Sequence, residues 1–216
     1  MAEIVGAAFA KDTEEFVEIV NSSENELFEL RVDAMDDYNT ADLADIDKRL
    51  IITVRREKEG GLKKIPEDER LKIFKDLLTV KPSFIDIEFR SRILDEVLDL
   101  INGTPTKSIV SYHDFEKTPD LDRLNHIYEK MDEKDPDMVK IVTFCNTPKD
   151  NSKILEFVLG KSNLISFCMG KEGMMSRIFS LKYCPMTYGS LSGSNTAPGQ
   201  LSVEELKQIK EMLADE

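Results

Sequence analysis

The chain has no tryptophan, two histidines and three cysteines among 216 residues, and each scarcity closes off a class of protein. Cys145, Cys168 and Cys184 are odd in number and widely spaced. That argues against a disulfide framework or a thiolate metal cluster and suits free thiols in a reducing cytosol. With only His113 and His126, no histidine-rich metal spacing exists. Positive charge is short as well: 29 Lys and Arg face 42 Asp and Glu, a formal net charge of -13. Nucleic acid and anionic membrane are poor partners for such a chain, although a few arginines in a cleft can still reverse the field for a small anion.

Long apolar runs are missing too. The opening MAEIVGAAFAKD is too short to span a bilayer, and no positive residue precedes its apolar stretch as in a secretion signal. The expectation is a soluble protein of the cytoplasm. There is no low-complexity segment, linker or sequence repeat, so one domain is expected over residues 1–216.

What is present is a regular alternation. Strand-like runs fall at residues 4–9, 27–33, 50–55, 84–89, 107–114, 138–145, 164–169 and 186–191. Amphipathic helical stretches fall between them at 66–80, 90–101, 119–131, 151–159 and 173–183, and another closes the chain at 202–213. Ser202 and Glu205 have capping-box spacing. Residues 36–48 are harder to assign, with a short helix in ADLADIDKR. Eight such units predict an α/β fold, a single compact (β/α)₈ barrel without a long N-terminal extension; a doubly wound open sheet is the competitor.

Alternation inside the strands says more. Phe28, Leu30 and Val32 oppose Glu29, Arg31 and Asp33; Ile52 and Val54 oppose Thr53 and Arg55. Ile85, Ile87 and Phe89 oppose Asp86 and Glu88, and Val110 and Tyr112 oppose Ser111 and His113. If helices cover the apolar faces, charges of both signs converge in the interior, where burial without partners is costly. That expense suggests a functional interior.

Two reactive side chains belong to it. Lys140 interrupts the apolar run MVKIVTFC; desolvation would favour a neutral amine able to attack a carbonyl. The plainer alternative is a strand-entry lysine in an ion pair or in solvent. His113 ends its strand, where barrel catalytic groups sit, and can move protons; the plainer alternative is a loop cap. His126 reads as a solvated helix residue. The Gly- and Ser-containing segment 189–200 is a candidate substrate-covering loop.

The segment SYHDFEKTP at 111–119 resembles the histidine motif of the type I 3-dehydroquinate dehydratases. The resemblance extends through ELRVD at 29–33, TVR at 53–55, EGG at 59–61, VKI at 139–141, MGKEG at 169–173, Ser176-Arg177 and APGQ at 197–200. It implies a (β/α)₈ barrel and dehydration of 3-dehydroquinate to 3-dehydroshikimate in the shikimate pathway. It further implies imine chemistry without metal or cofactor, and a homodimer. By motif, Lys140 matches the imine-forming lysine, His113 the general acid/base, and Glu59 the carboxylate associated with that histidine. Arg177 matches the substrate-carboxylate ligand, and Glu29, Arg31, Arg55 and Gln200 match groups around the substrate. Thr196 stands where serine is usual, keeping the hydroxyl but adding a methyl.

Other readings stay open. Asp86 or Glu88 competes with Glu59 as partner of His113. A class I aldolase on a sugar phosphate would share the lysine but need a phosphate grip. A non-catalytic barrel binding a small acid is the non-enzyme alternative. A hard-metal site would use Glu29, Asp33, Asp86 and Glu88 as oxygen ligands.

Overall fold

A computed structural model describes residues 1–191 and 199–214. Its eight strands are β1 (Glu3–Ala8), β2 (Leu27–Arg31), β3 (Arg49–Thr53), β4 (Phe84–Glu88), β5 (Lys107–His113), β6 (Met138–Phe144), β7 (Leu164–Met169) and β8 (Met186–Ser190). All ladders are parallel, in the order β7-β6-β5-β4-β3-β2-β1-β8. The sheet curls into a nearly closed barrel. At the β7/β8 seam no ladder is formed among the described residues, and side chains fill the gap: the Phe167 and Tyr188 rings lie 6.2 Å apart.

Helices follow the strands: α1 (Thr13–Asn21), α2 (Thr40–Ala44), α3 (Glu67–Leu77), α4 (Leu94–Ile101), α5 (Leu121–Asp132), α6 (Pro148–Val158), α7 (Met174–Tyr183) and α8 (Val203–Ala214). Their starts are written locally. Asp12 accepts a hydrogen bond from Glu15 N, Asp120 from Arg123 N, and Ser202 with Glu205 forms the expected reciprocal box. The short helix expected near residues 36–48 is α2. Helix α1 has no counterpart in the sequence reading; its Asp12 cap and its apolar Phe16 and Val20 were the available signals.

Two apolar clusters lie on either side of the strands. Phe28, Leu30, Ile52, Val54, Ile85, Ile87, Val110, Val139 and Ile141 face the helices. Val5, Leu27, Ile51, Phe84, Ile109, Ile165 and Met186 fill the barrel. Each fully buried side chain of this kind contributes roughly 1.5–3 kcal/mol. Inward positions further along the strands are polar, as the alternation required: Glu29, Asp86, Glu88, Ser111 and Lys140 are all buried.

Two strands, β2 and β3, end two residues earlier than the sequence pattern suggests. β2 stops at Arg31 and β3 at Thr53, so Asp33 and Arg55 stand in the loops above. The cause is Asp33, which accepts hydrogen bonds from Arg55 N and Leu62 N at 3.0 Å each. The Arg55 amide, just past β3, thereby serves a side chain instead of the ladder, and the Leu62 amide ties the returning loop to the same carboxylate.

Candidate active site

A cavity opens among the strand ends and the loops that follow them. Glu29, Arg31, Arg55 and Glu59 line it, as do His113, Lys140, Arg177 and Gln200. Eight of the nine residues singled out from sequence therefore meet in one place. Thr196 and most of the 189–200 loop lie outside the described residues.

Lys140 is the third residue of β6 and is buried. Its Nζ donates to Asp86 Oδ2 at 3.0 Å, lies 3.6 Å from Glu29 Oε1, and sits 3.8 Å from the centroid of the Tyr188 ring. Both the enclosed amine and the ion pair foreseen as alternatives are thus present together. Asp86 is held from the other side by Arg55 Nη2 at 2.9 Å and by Ser111 Oγ, which donates to Oδ1 at 2.6 Å. Burial alone would raise the Asp86 carboxyl, but Arg55 and Lys140 hold it far below the ordinary range.

Glu88 is equally committed. Arg56 N donates to its Oε1 at 2.8 Å, Arg55 Nη1 approaches at 3.4 Å, and Arg70 of α3 pairs with Oε2. Arg70 is buried and also donates to Val54 O at 2.8 Å. The sequence reading did not name it. Its signal is an arginine at i on the same helix face as Phe74 at i+4 and Leu77 at i+7.

The carboxylate beside His113 is Glu59, with Oε2 3.6 Å from Nδ1 and accepting from the His113 backbone N–H at 3.1 Å. It ends a short 3₁₀ turn, Glu57–Glu59, and the chain then reverses through Gly60 at φ 89. At Gly61 a Cβ would stand 2.2 Å from Arg55 O, so the tight return that aims Glu59 inward requires glycine. Arg31 braces this loop: its Nε and Nη2 each donate to Asp33 at 2.8 Å, and Nη2 also to Gly60 O at 3.0 Å.

The pair's electrostatics run opposite to those of a surface pair. Burial, with the nearby charge of Glu88, pushes the Glu59 carboxyl up to about 7. Burial, with the positive Arg55 and Lys140 close by, holds the His113 imidazole well below its usual value. At neutral pH the ring is uncharged, the form that accepts a proton. Phe115, half-exposed, stacks on it with centroids 6.3 Å apart and planes at 27°.

Arg177 arrives from α7. Ser176 Oγ accepts from Cys168 N at 2.7 Å, and at Gly173 a Cβ would meet Cys168 O at 2.7 Å, so the helix start packs directly on β7. Arg177 is 1% exposed, with Cζ 4.5 Å above the Phe167 ring. Its Nε and Nη2 donate to no atom among the described residues. Burial draws its guanidinium down to about 10. A buried cation with two donors unpaired among the described residues is costly unless an anionic group meets it.

The carboxylates considered as metal ligands face cations instead: Asp33 faces Arg31, Asp86 faces Arg55 and Lys140, Glu88 faces Arg70, and Glu29 faces Lys140. No group of three or more His, Cys, Asp or Glu among the described residues is arranged to hold a metal ion. No helix among them is long and apolar enough to cross a membrane.

Comparison with known proteins gives the family. Residues 4–216 match the family model for type I 3-dehydroquinase. A 3-dehydroquinate dehydratase of Pyrococcus abyssi is 39% identical over 213 residues, 98% of this chain and 99% of that one. Another, from Thermococcus gammatolerans, is 41% identical over 210 residues, 97% of this chain and 98% of the relative. A solved type I 3-dehydroquinate dehydratase of Clostridium difficile superposes with a TM-score of 0.87 at 24% identity, covering 98% of this chain and 92% of its own. Across fold, sequence and family model alike, the chain belongs to the type I 3-dehydroquinase family.

Proposed function

We propose that this chain dehydrates 3-dehydroquinate to 3-dehydroshikimate, a step of the shikimate pathway, through an imine on Lys140. The observation that carries the reading is Arg177: a buried guanidinium with Nε and Nη2 unpaired in the cavity that also holds Lys140 and His113. A ring carboxylate supplies what that group lacks, and docking it there sets the ring against the amine and the imidazole.

The Lys140 amine attacks the ring ketone. A C–N bond forms, the carbonyl oxygen is protonated and leaves as water, and a cationic imine remains. Asp86 and Glu29, which hold Lys140 beforehand, are within reach of the proton the amine sheds. The cationic nitrogen draws electrons from the neighbouring C–H bond, whose proton passes to neutral His113. The enamine then expels the hydroxyl β to the imine carbon, and His113 returns its proton to that oxygen. Hydrolysis of the conjugated imine frees Lys140 and the enone. The net change is loss of one water, with no redox step.

Glu59 positions His113: its Oε2 accepts from the His113 backbone N–H and stands 3.6 Å from Nδ1, and its ionised form favours a proton on Nδ1, leaving Nε2 as the base. Glu29, Arg31, Arg55 and Gln200 complete the ring's polar surroundings. Arg31 and Arg55 do so while remaining anchored to Asp33 and Asp86. A homodimer of the cytoplasm is part of the same proposal, supported by the family resemblance, and light scattering reads its mass.

The test is turnover of 3-dehydroquinate by purified chain, followed by absorbance of the conjugated enone after dialysis against chelator. The proposal expects full activity in wild type and none in Lys140→Ala. Absent turnover, or turnover abolished by chelator, contradicts it.

A further inference from the structure

Arg70 has no part in the reaction above, yet a guanidinium only 1% exposed is costly unless its surroundings use it. It comes from α3, and its donors converge at the base of the loop that carries Glu59. Nε donates to Val54 O at 2.8 Å, where the chain leaves β3, and Nη2 pairs with Glu88 Oε2. Nη1 donates to Ser91 Oγ at 3.0 Å and pairs with Glu67 Oε2 at 2.6 Å.

Glu88 carries that hold to the loop itself. Its Oε1 accepts from Arg56 N at 2.8 Å, and Arg56 O accepts from Glu59 N and Gly61 N at 2.9 Å each. Glu67, three residues before Arg70 on α3, pairs with Arg56 Nε at 3.0 Å. Helix α3 therefore grips Arg56 twice: at its side chain through Glu67, and at its amide through Arg70 and Glu88. Three residues further on, the Glu59 side chain ends with Oε2 3.6 Å from His113 Nδ1.

Arg70 also governs the local charge. The other cation on Glu88, Arg55 at 3.4 Å, is shared with Asp86 at 2.9 Å. Glu59 faces His113 from β5, Glu88 from β4 and Arg90 from the loop after β4; Arg31 of β2 lies against Gly60 O, and Arg55 and Arg56 belong to its own loop. Of these, Glu88 is the carboxylate, and its charge opposes ionisation of Glu59; Arg70 neutralises it.

We propose that Arg70 is a positioning residue for the acid/base pair: from α3 it fixes, through Glu88 and the Arg56 amide, both the place of Glu59 beside His113 and the charge under which Glu59 works. The inference rests on the acid/base reading of His113 and Glu59, and it adds a residue that does not line the cavity.

Arg70→Met leaves Glu88 short of its counter-charge. Arg70→Met combined with Glu88→Gln removes both charges, keeps an oxygen for Arg56 N and strands no buried carboxylate. Both variants are expected to lose kcat about tenfold at the pH optimum, with KM unchanged. The acid midpoint of kcat/KM, set by Glu59 at about 7, is expected to rise by about one pH unit in Arg70→Met and to fall by about one in the double variant. Arg70→Lys keeps the charge and is expected to hold the wild-type midpoint. Loss of kcat with the midpoint unmoved in every variant overturns the proposal, as does a loss carried by KM or wild-type kinetics throughout. If Arg70→Met does not fold, the double variant decides on the same terms. A wild-type profile without an acid midpoint near neutral pH overturns the Glu59 reading first, and this inference with it.

Discussion

Asp86 Oδ2 lies 3.0 Å from Lys140 Nζ and 2.9 Å from Arg55 Nη2, so one buried carboxylate holds the reactive amine and a fixed cation at once. Asp86→Asn strips both of their shared counter-charge. Arg55 keeps Glu88 at 3.4 Å, so the fold is expected to survive, with a loss of about 3 kcal/mol by urea unfolding. The amine loses its closest anchor, and kcat is expected to fall roughly 100-fold, read by steady-state kinetics. Wild-type kcat would show that Asp86 serves packing alone.

Glu59 makes a pH-dependent contribution of known sign. Its folded pKa of about 7 exceeds the ordinary 4.5, so its share of stability is present below about pH 4.5 and lost as pH rises through 7. The loss is about 3 kcal/mol at most. Glu59→Gln cannot titrate, so its melting temperature should exceed wild type at pH 8 and match it near pH 5. Activity should fall at both. Equal melting curves at pH 8 would remove the buried-acid assignment.

Arg177 combines stability and binding in opposite senses. A buried guanidinium with two unpaired donors is costly, so Arg177→Met is expected to melt at or above the wild-type temperature. Its KM for the carboxylated substrate should rise roughly 100-fold. Substrate or a ring-carboxylate analogue should stabilise wild type thermally and leave the variant unmoved. Equal stabilisation of both would place the carboxylate elsewhere.

His113→Ala separates addition from elimination. The amine and its carboxylates remain, so adduct should still form, while elimination loses its base and kcat falls by roughly 10²–10⁴-fold. Mass spectrometry after reductive trapping should find the variant loaded with substrate. An empty variant would assign His113 to an earlier step.

The barrel was legible because helices on every outward face force each strand's polar residues inward; Glu29, Asp86, Glu88 and Ser111 could be placed by parity alone. Parity says nothing of what happens beyond a strand. Whether Glu59, Asp86 or Glu88 stands beside His113 depends on how the loop after β3 folds back through Gly60 and Gly61, a matter of backbone reversal and of Asp33 capturing two amides. Arg70 was hidden because a charged residue in an amphipathic helix reads as surface unless its partner, Glu88, is already known to lie beneath it. Nothing in the strand pattern marks Tyr188; its unpartnered hydroxyl and its ring beneath Lys140 Nζ set it apart.

The most direct test of the central claim is intact-mass analysis after borohydride treatment with 3-dehydroquinate, followed by peptide mapping. The account predicts one reduced adduct per chain, on the peptide bearing Lys140, and none in Lys140→Ala. Label on another lysine, or turnover with no trappable adduct, would contradict it.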